Sequence, residues 1–383
     1  MTPTDWLATQ HDAMVALLQR CVDIDSGSYD KSGIDQVGAV LTDFLTAHGV
    51  TVDTLPQSKH GDCLDARAPW DGPAGNAGGH ILLLGHRDTV FPAGEATRRP
   101  FTVRDGRAYG PGVADMKAGL VMNAFVLAAF AQHGGSPAPL RALFTGDEEI
   151  GSPKGRAIIE ASARGARAVF NSEPGRPTGN VVTGRKGGVF MAMHVTGKAA
   201  HSGGNFAEGI SAIEELARKI QAIHALTDLG RGITLNVGLV SGGQSVNTVA
   251  PSADAQIDLR YVEPADRDQI MTAIAAIVAH SAVPGTAATL EIRGEFNSLT
   301  QSRAAKQLFD AYVTASDAPV AGEFTGGCAD SGFTAAVGAP TLCAVGPVGG
   351  AAHTPEEWLD LASLVPRAQA CARTILTLET AGL

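Results

Sequence analysis

The sequence predicts an α/β protein with a larger domain on a mixed, mostly parallel sheet covered by helices and a smaller, inserted ferredoxin-like α+β domain. Three observations predict it. From Val50 to Phe170, short apolar runs alternate with helical patterns, as in a parallel sheet with both faces covered. From Gly188 to Arg293 the order becomes β-α-β-β-α-β, the ferredoxin-like arrangement. From Arg303 onward the first pattern resumes. The expected domains are therefore 1–179 and 294–383 for the two parts of the larger domain, and 180–293 for the insertion.

The elements follow in order. Trp6 to Val22 and Ile34 to His48 carry apolar residues at helical spacing, with Gly49 as a stop. Val50 to Leu55 reads as a strand, and Pro69 to Gly79, rich in Gly and Pro, as a loop. His80 to Leu84 is a buried strand that delivers His86 and Asp88 to its carboxyl end. Alternate residues of an extended chain point the same way, so this pair can face one spot, while Arg87 faces away. Phe101 to Tyr109 reads as a hairpin turning at Asp105-Gly106. It runs into Gly110-Pro111-Gly112-Val113-Ala114-Asp115. This is no dinucleotide fingerprint, because the sixth position is Asp and no βαβ unit opens there. Met116 to Gln132 is an apolar, buried helix. Leu140 to Thr145 is a strand ending in Gly146-Asp147-Glu148-Glu149, and a helix then runs to about Ala163. Ala168 to Phe170 is a strand ending in Asn171-Ser172-Glu173-Pro174. After a linker at 174–179 come a strand Gly188 to Thr196, a helix Phe206 to Leu226 and a strand Gly232 to Val240. A strand Ala253 to Val262, a helix Ala265 to Ala282 and a strand Ala288 to Arg293 complete the insertion. A helix Arg303 to Ala315, a strand Thr341 to Val345 leading to His353, and a helix Ser363 to Leu378 close the chain.

Composition narrows the function classes. A chain of 383 residues with 44% hydrophobic residues can bury a sizeable core. A formal charge of −10 argues against nucleic acid, which needs a basic face. No apolar stretch reads as membrane-spanning and the N-terminus lacks signal-peptide character. The five cysteines are odd in number and widely spaced, so a reduced, cytoplasmic protein is expected. No G-x-S-x-G occurs, which disfavours a serine hydrolase.

Ligand sites in such sheets lie beyond the carboxyl ends of the strands. That edge collects His86, Asp88, Asp115, Glu148, Glu149, Glu173 and His353. Clustered carboxylates repel one another without a cation. Two His and several carboxylates suit one or two divalent ions of the zinc, cobalt or manganese kind.

The chain resembles the dinuclear metallopeptidase family that includes glutamate carboxypeptidase, acetylornithine deacetylase, succinyl-diaminopimelate desuccinylase and the aminoacylases. The resemblance rests on Gly85-His86-Arg87-Asp88-Thr89-Val90, Gly110-Pro111-Gly112-Val113-Ala114-Asp115-Met116-Lys117, Gly146-Asp147-Glu148-Glu149-Ile150-Gly151-Ser152, Asn171-Ser172-Glu173-Pro174, Ala200-His201-Ser202-Gly203 and Ala352-His353-Thr354-Pro355-Glu356-Glu357. It implies two divalent ions, zinc foremost, bridged by Asp115. His86 and Glu173 would hold one, Glu149 and His353 the other. Asp88 would orient His86. Glu148 would be the general base toward a water held between the ions for attack on a carbonyl. Glu148 and Glu149, adjacent in extended chain, would point opposite ways. The Asp115-Met116 peptide bond would be cis.

The inserted domain would act as lid and dimerisation domain. His201 would reach the other subunit's site and stabilise the tetrahedral oxyanion. Asn247 resembles a substrate-binding Asn. Arg260 is either an ion-pair partner of Asp258 or Asp254 or a bidentate clamp on a substrate carboxylate; Lys186 and Arg293 are weaker candidates for that anion. Cys328 carries no nucleophilic role, and Asp330 either supports the site or meets the substrate. The activity implied is metal-dependent hydrolysis of an amide to release an amino acid with a free carboxylate, as in a glutamate carboxypeptidase. An N-acyl-amino-acid deacylase and a small dipeptidase are the alternatives, with an acyl-amino acid or dipeptide as substrate. A metal-stabilised binding module is the non-catalytic alternative, disfavoured because Glu148 is intact.

Overall fold

The computed structural model describes residues 1–72, 79–379 and 382; of the loop expected at Pro69 to Gly79, residues 73–78 lie outside the described residues. The chain forms two compact units. One comprises Met1–Gly184, Leu299–Thr325 and Ala329–Leu383, the other Arg185–Ser298 with Gly326–Cys328. The strand Val181–Arg185 belongs to the large sheet of the first unit, so the change of unit falls a few residues after the expected position 180.

The N-terminal helical pattern is split into α1 (Pro3–Ala8) and α2 (His11–Val22). Thr9 ends α1 by returning its hydroxyl to the Trp6 carbonyl. Next come α3 (Lys31–Ala47), β1 (Thr51–Leu55), β2 (Cys63–Arg67), β3 (His80–His86), α4 (Glu95–Arg98) and the hairpin β4 (Thr102–Arg104) and β5 (Arg107–Tyr109). Asp105 (φ 50°) and Gly106 (φ 75°) are both left-handed, the turn that suits the twist of a two-residue hairpin. The helix α5 (Gly119–His133) follows a turn at Val113–Ala118 broken by non-helical Asp115 and Met116, whose shared peptide bond is cis. The segment Val113–His133 is long and apolar enough to cross a membrane, yet it is packed inside the protein. Then come β6 (Leu140–Thr145), α6 (Gly155–Ala163), β7 (Ala166–Asn171) and β8 (Val181–Arg185).

The second unit holds β9 (Gly187–Thr196), α7 (Ala212–His224), β10 (Thr234–Gly242), β11 (Ser252–Tyr261), α8 (Pro264–Ala279) and β12 (Ala287–Phe296). The helix expected from Phe206 begins only at Ala212, because Ser211 caps it by accepting from the Glu214 amide. Its sheet runs β10-β11-β9-β12 with antiparallel pairing, the ferredoxin-like order. Along β11 the residues Ala253, Ala255, Ile257, Leu259 and Tyr261 turn inward in strict alternation and pack with Leu216 and Ile223 of α7 and Ile270 and Ile274 of α8.

The first unit resumes with α9 (Arg303–Ala315), β13 (Gly322–Thr325), α10 (Ser331–Ala336), β14 (Thr341–Cys343), β15 (Gly349–Gly350), β16 (Trp358–Asp360) and α11 (Leu364–Thr377). Its main sheet has the order β1-β2-β6-β3-β7-β14-β8-β13. The central strands β6, β3, β7 and β14 are parallel; β1 and β2 are antiparallel additions at one side. Buried Leu83, Phe125, Phe144 and Phe170 sit in its core. A second, small sheet, β15-β16-β5-β4, pairs Trp358 with Tyr109 and so lays the chain before β16 against the loop after β5. The strands β3, β6 and β7 end at one edge, where the candidate residues gather.

Candidate metal centre

The site is built from strand ends. His86 is the last residue of β3, Glu148 and Glu149 follow β6, and Glu173 follows β7. Asp115 lies in the broken turn before α5, and His353 in the turn between β15 and β16 with a left-handed backbone (φ 65°).

These residues form two donor sets that share one carboxylate. Ligand atoms of His86, Asp115 and Glu173 lie within 4.8 Å of one another, and so do those of Asp115, Glu149 and His353. His86 Nε2 is 3.4 Å from Asp115 Oδ1 and 3.7 Å from Glu173 Oε1. His353 Nε2 is 3.2 Å from both Asp115 Oδ2 and Glu149 Oε2. Asp115 thus turns one oxygen to each set. Glu148 Oε2 stands 3.8 Å from His86 Nε2. Glu148 and Glu149 diverge as expected, but for a different reason. They lie in a short 3₁₀ turn, not in extended chain, and the turn sends one toward His86 and the other toward His353.

Asp88 organises this corner. It is fully buried. It accepts from the Ser28 hydroxyl at 2.7 Å and from the amides of Glu148 and Glu149, each at 3.1 Å. Its own carbonyl lies 3.0 Å from His86 Nδ1, and its carboxylate 3.4 Å. A His that donates from Nδ1 to a carbonyl presents the Nε2 lone pair to the site. Arg87, the intervening residue, turns into the interior and donates to the Ile34 carbonyl at 3.1 Å.

The donor atoms fit a cation. His86 Nε2, Asp115 Oδ1 and Glu149 Oε1 are buried and make no hydrogen bond, an arrangement that is costly unless something charged completes it. The electrostatics agree. Burial pushes the His86 imidazole down, yet the charge of Glu148 and the nearby carboxylates of Asp115 and Asp88 hold it well above its ordinary range. Hydrogen bonds to Asp115 and Glu149 lift His353 to about 10. Burial, with Glu173 and Asp330 nearby, raises Glu148. Converging carboxylates demand positive charge.

One positioning residue was not singled out from sequence. Glu357 is fully buried, and its carboxylate collects the amides of Gly112 (3.0 Å), Ala114 (2.8 Å) and Asp115 (2.9 Å). It clamps the loop that carries the shared carboxylate. Its place in the stretch beginning at His353 was the available signal. Asp330 is buried and accepts from the Ser152 hydroxyl, with its pKa pushed up by burial to about 8.

The remaining candidates lie in the second unit. The His201 and Asn247 loops are joined: Ser202 donates its amide to the Asn247 carbonyl at 3.0 Å, and His201 bridges Thr248. His201 is exposed, and its Nδ1 accepts from the Gly203 and Gly204 amides. Arg260 pairs with Asp258 at 2.9 Å, one of the two partners anticipated, and its Nη1 lies 2.8 Å from Cys328 Sγ. Burial raises the Cys328 thiol above its usual range, so it is no ready nucleophile. Lys186 sits between β8 and β9. Arg293, at a bulge in β12, is exposed beside Glu291.

Comparison with known proteins adds an independent line. The model of Peptidase family M20/M25/M40 matches residues 82–377. Carboxypeptidase G2 of Pseudomonas sp. (strain RS-16) is 27% identical over 376 residues, covering 96% of this chain and 90% of that one. Acetylornithine deacetylase of Pasteurella multocida (strain Pm70) is 33% identical over 242 residues, 58% of this chain and 59% of that one. Among solved structures, an M20 family metallo-carboxypeptidase from Sulfolobus solfataricus superposes with a TM-score of 0.78 at 17% identity, covering 96% of this chain and 100% of that one. Human carnosine dipeptidase 1 does so with a TM-score of 0.68 at 16% identity, covering 100% and 99%. At those identities the structural likeness establishes the fold alone.

Proposed function

We propose, from the premise that the chain belongs to peptidase family M20/M25/M40 and is a metal-dependent peptidase or amidohydrolase, that it is a carboxypeptidase-like enzyme releasing an amino acid with a free carboxylate. The observation that carries this is the pair of donor sets sharing Asp115, with Glu148 beside them. His86 and Glu173 would hold one divalent ion, Glu149 and His353 a second, and Asp115 both; oxygen and imidazole donors suit zinc, with cobalt or manganese as alternatives. When bound, such ions supply Lewis-acid charge and acidify water.

The chain's own residues do the rest. Glu148 takes a proton from the attacking water and returns it to the leaving nitrogen. Asp88 fixes the His86 tautomer and, through two amides, the turn that aims Glu148. His201 donates to the developing oxyanion from a second subunit. Arg260, with Asn247, Lys186 and Arg293 as further contacts, receives the substrate carboxylate. A homodimer through the inserted domain is supported by β10, an edge strand that exposes Leu239 and Val240. The five free cysteines suit a reducing, cytoplasmic setting.

An N-acyl-amino-acid deacylase is the second reading, favoured by the higher identity to acetylornithine deacetylase over part of the chain. The test is a hydrolysis screen of acyl-amino acids and dipeptides on zinc-loaded protein, with chelated protein and Glu148→Ala as controls. Turnover should vanish in both controls, and Glu148→Ala should keep its metal. Full activity after chelation, or in Glu148→Ala, defeats the mechanism. Preference for free-carboxylate substrates with large acyl groups separates the first reading from the second.

A further inference from the structure

A cavity of about 510 Å³ opens beside the metal centre, within the first unit, and the reaction described so far makes no use of it. Glu149 is part of its lining, so it borders the place where a scissile carbonyl would sit. Its walls are Tyr29, Val90, Phe91 and Ile150, largely apolar. We propose that this cavity is the acyl-side subsite and that it selects neutral, extended apolar acyl groups over anionic ones. The proposal rests on the amide-hydrolase reading above.

Three observations carry it. The first is construction. The two walls are segments 27–30 and 89–93, joined by a parallel bridge between Gly27 and Thr89. The Ser28 amide donates to the Thr89 carbonyl at 3.3 Å, and the Thr89 amide to the Ser26 carbonyl at 2.8 Å. Beyond the far end, Asp25 accepts from the amides of Gly94 (2.7 Å) and Ala96 (2.8 Å). An ideal Cβ on Gly27 would lie 2.6 Å from the Phe91 carbonyl oxygen, so the two segments meet at a glycine contact. The cavity is therefore held by hydrogen bonds at both ends, backbone to backbone at one and to the Asp25 carboxylate at the other, as a preformed ligand site requires.

The second is charge. Besides the Tyr29 phenol, the ionisable groups in the lining are Asp30 and Glu149, both acids, and no cation lines it among the described residues. Arg99 stacks 4.7 Å over the Phe91 ring but is tied to Glu95 and the Pro355 carbonyl and is not part of the lining. With Glu149 engaged by a metal, Asp30, which caps α3 by accepting from the Gly33 amide at 3.1 Å, remains as the acid of the lining with no cation paired to it there. A substrate carboxylate is repelled here, so the amino-acid half goes elsewhere and the acyl half remains for this cavity. The third is exposure. Tyr29 is 81% and Val90 43% exposed, large side chains on the rim that a bound acyl chain would cover.

The experiment uses full-length, zinc-loaded protein and three probes with one amino acid in common: N-acetyl, N-hexanoyl and N-adipoyl. Hexanoyl and adipoyl have the same number of carbons, and only adipoyl ends in a carboxylate. Dissociation constants are measured by calorimetry in a Glu148→Gln background, so that binding is read without turnover. Hexanoyl should bind at least about tenfold more tightly than acetyl or adipoyl. Val90→Trp, which fills the cavity, should weaken hexanoyl about tenfold and leave acetyl within about twofold. Asp30→Asn keeps the helix cap and should bring adipoyl toward hexanoyl. Tyr29→Ala, at an exposed position, gives an independent check if the Trp variant misfolds, and should weaken hexanoyl selectively. Equal losses for acetyl and hexanoyl in both Val90→Trp and Tyr29→Ala, or adipoyl binding as well as hexanoyl in the Glu148→Gln background, overturn the subsite. Failure of the parent reading shows separately, as selective binding of hexanoyl with no hydrolysis of any probe by zinc-loaded protein with Glu148 intact.

Discussion

Glu357 touches no candidate ligand atom, yet it sets where the shared carboxylate stands. Its oxygens gather the amides of Gly112, Ala114 and Asp115. Removing an anion from three amides costs their charge-assisted hydrogen bonds and frees the loop. Glu357→Ala should weaken zinc binding about 10- to 100-fold, as read by competition with a chromophoric chelator, with Glu357→Gln between it and wild type. Unchanged affinity in Glu357→Ala would mean that Asp115 is positioned without it. The contrast with His86 shows what a sequence can disclose at this scale. His86 and Asp88 stand out because a run of apolar residues ends abruptly in two polar ones. Glu357 stands in a polar stretch, and only the pairing of β16 with β5 brings it under Gly112–Asp115. Arg87 is the reverse case: alternation turned it away from the site, and its burial against the Ile34 carbonyl is a matter of long-range packing.

Among the elements, those read well are the ones whose own residues impose the period. β3 between its terminal histidines, and α5 up to Phe130 apart from Asn123, are apolar and buried. β2 escaped because Asp65 and Arg67 interrupt its pattern, and they are tolerated in the sheet only through ion pairs with Arg141 and Asp53 that the chain supplies from elsewhere. The helix α7 shows the same dependence on distant partners, and it can be tested. Glu215 and Lys219, one turn apart and both buried, lie 2.9 Å from each other. Lys219 Nζ also donates to the Ile277 and His280 carbonyls at the end of α8, and Glu215 accepts from the Ala282 and Val283 amides. The pair bolts α7 to the end of α8. Lys219→Met leaves a buried carboxylate without its counter-ion and should cost about 3 kcal/mol in urea unfolding at neutral pH. Burial raises the Glu215 pKa, but the Lys219 hydrogen bond and the two amides outweigh it and hold it below the usual value. Stability from Glu215 is therefore fully present above its unfolded pKa, about 4.3, and is lost as pH falls through the lower folded one. The stability gap between wild type and Glu215→Gln should be flat from pH 7 to about 5 and close in more acid solution. A gap that widens toward acid pH contradicts the sign.

At the scale of the whole molecule, the chain divides its candidate chemistry between two units. The donor sets and Glu148 belong to the first, whereas His201, Asn247 and Arg260 belong to the second. The ferredoxin-like sheet leaves β10 as an edge, with Leu239 and Val240 exposed at 62% and 60%. An unprotected apolar edge strand invites a partner, and a second copy of the same edge would form a continuous sheet about a two-fold axis. If His201 serves the site of the other subunit, His201→Ala and Glu148→Ala are each inactive as homodimers, but their mixture is not. In a mixed dimer the subunit that keeps Glu148 receives His201 from its companion, while the opposite site lacks both. Random reassortment of equal amounts makes half the dimers mixed, each with one working site of two, so activity should return to about a quarter of wild type. Mixing before and after brief dissociation in mild urea, with activity followed against the degree of exchange, checks this directly. A mixture that stays inactive at complete exchange, with His201→Ala inactive by itself, places His201 in its own subunit's chemistry; an active His201→Ala homodimer places it outside chemistry altogether. Replacing Leu239 and Val240 with Lys tests action across subunits independently: the variant should sediment as a monomer with its zinc intact, and it keeps turnover only if His201 acts within one chain or not at all.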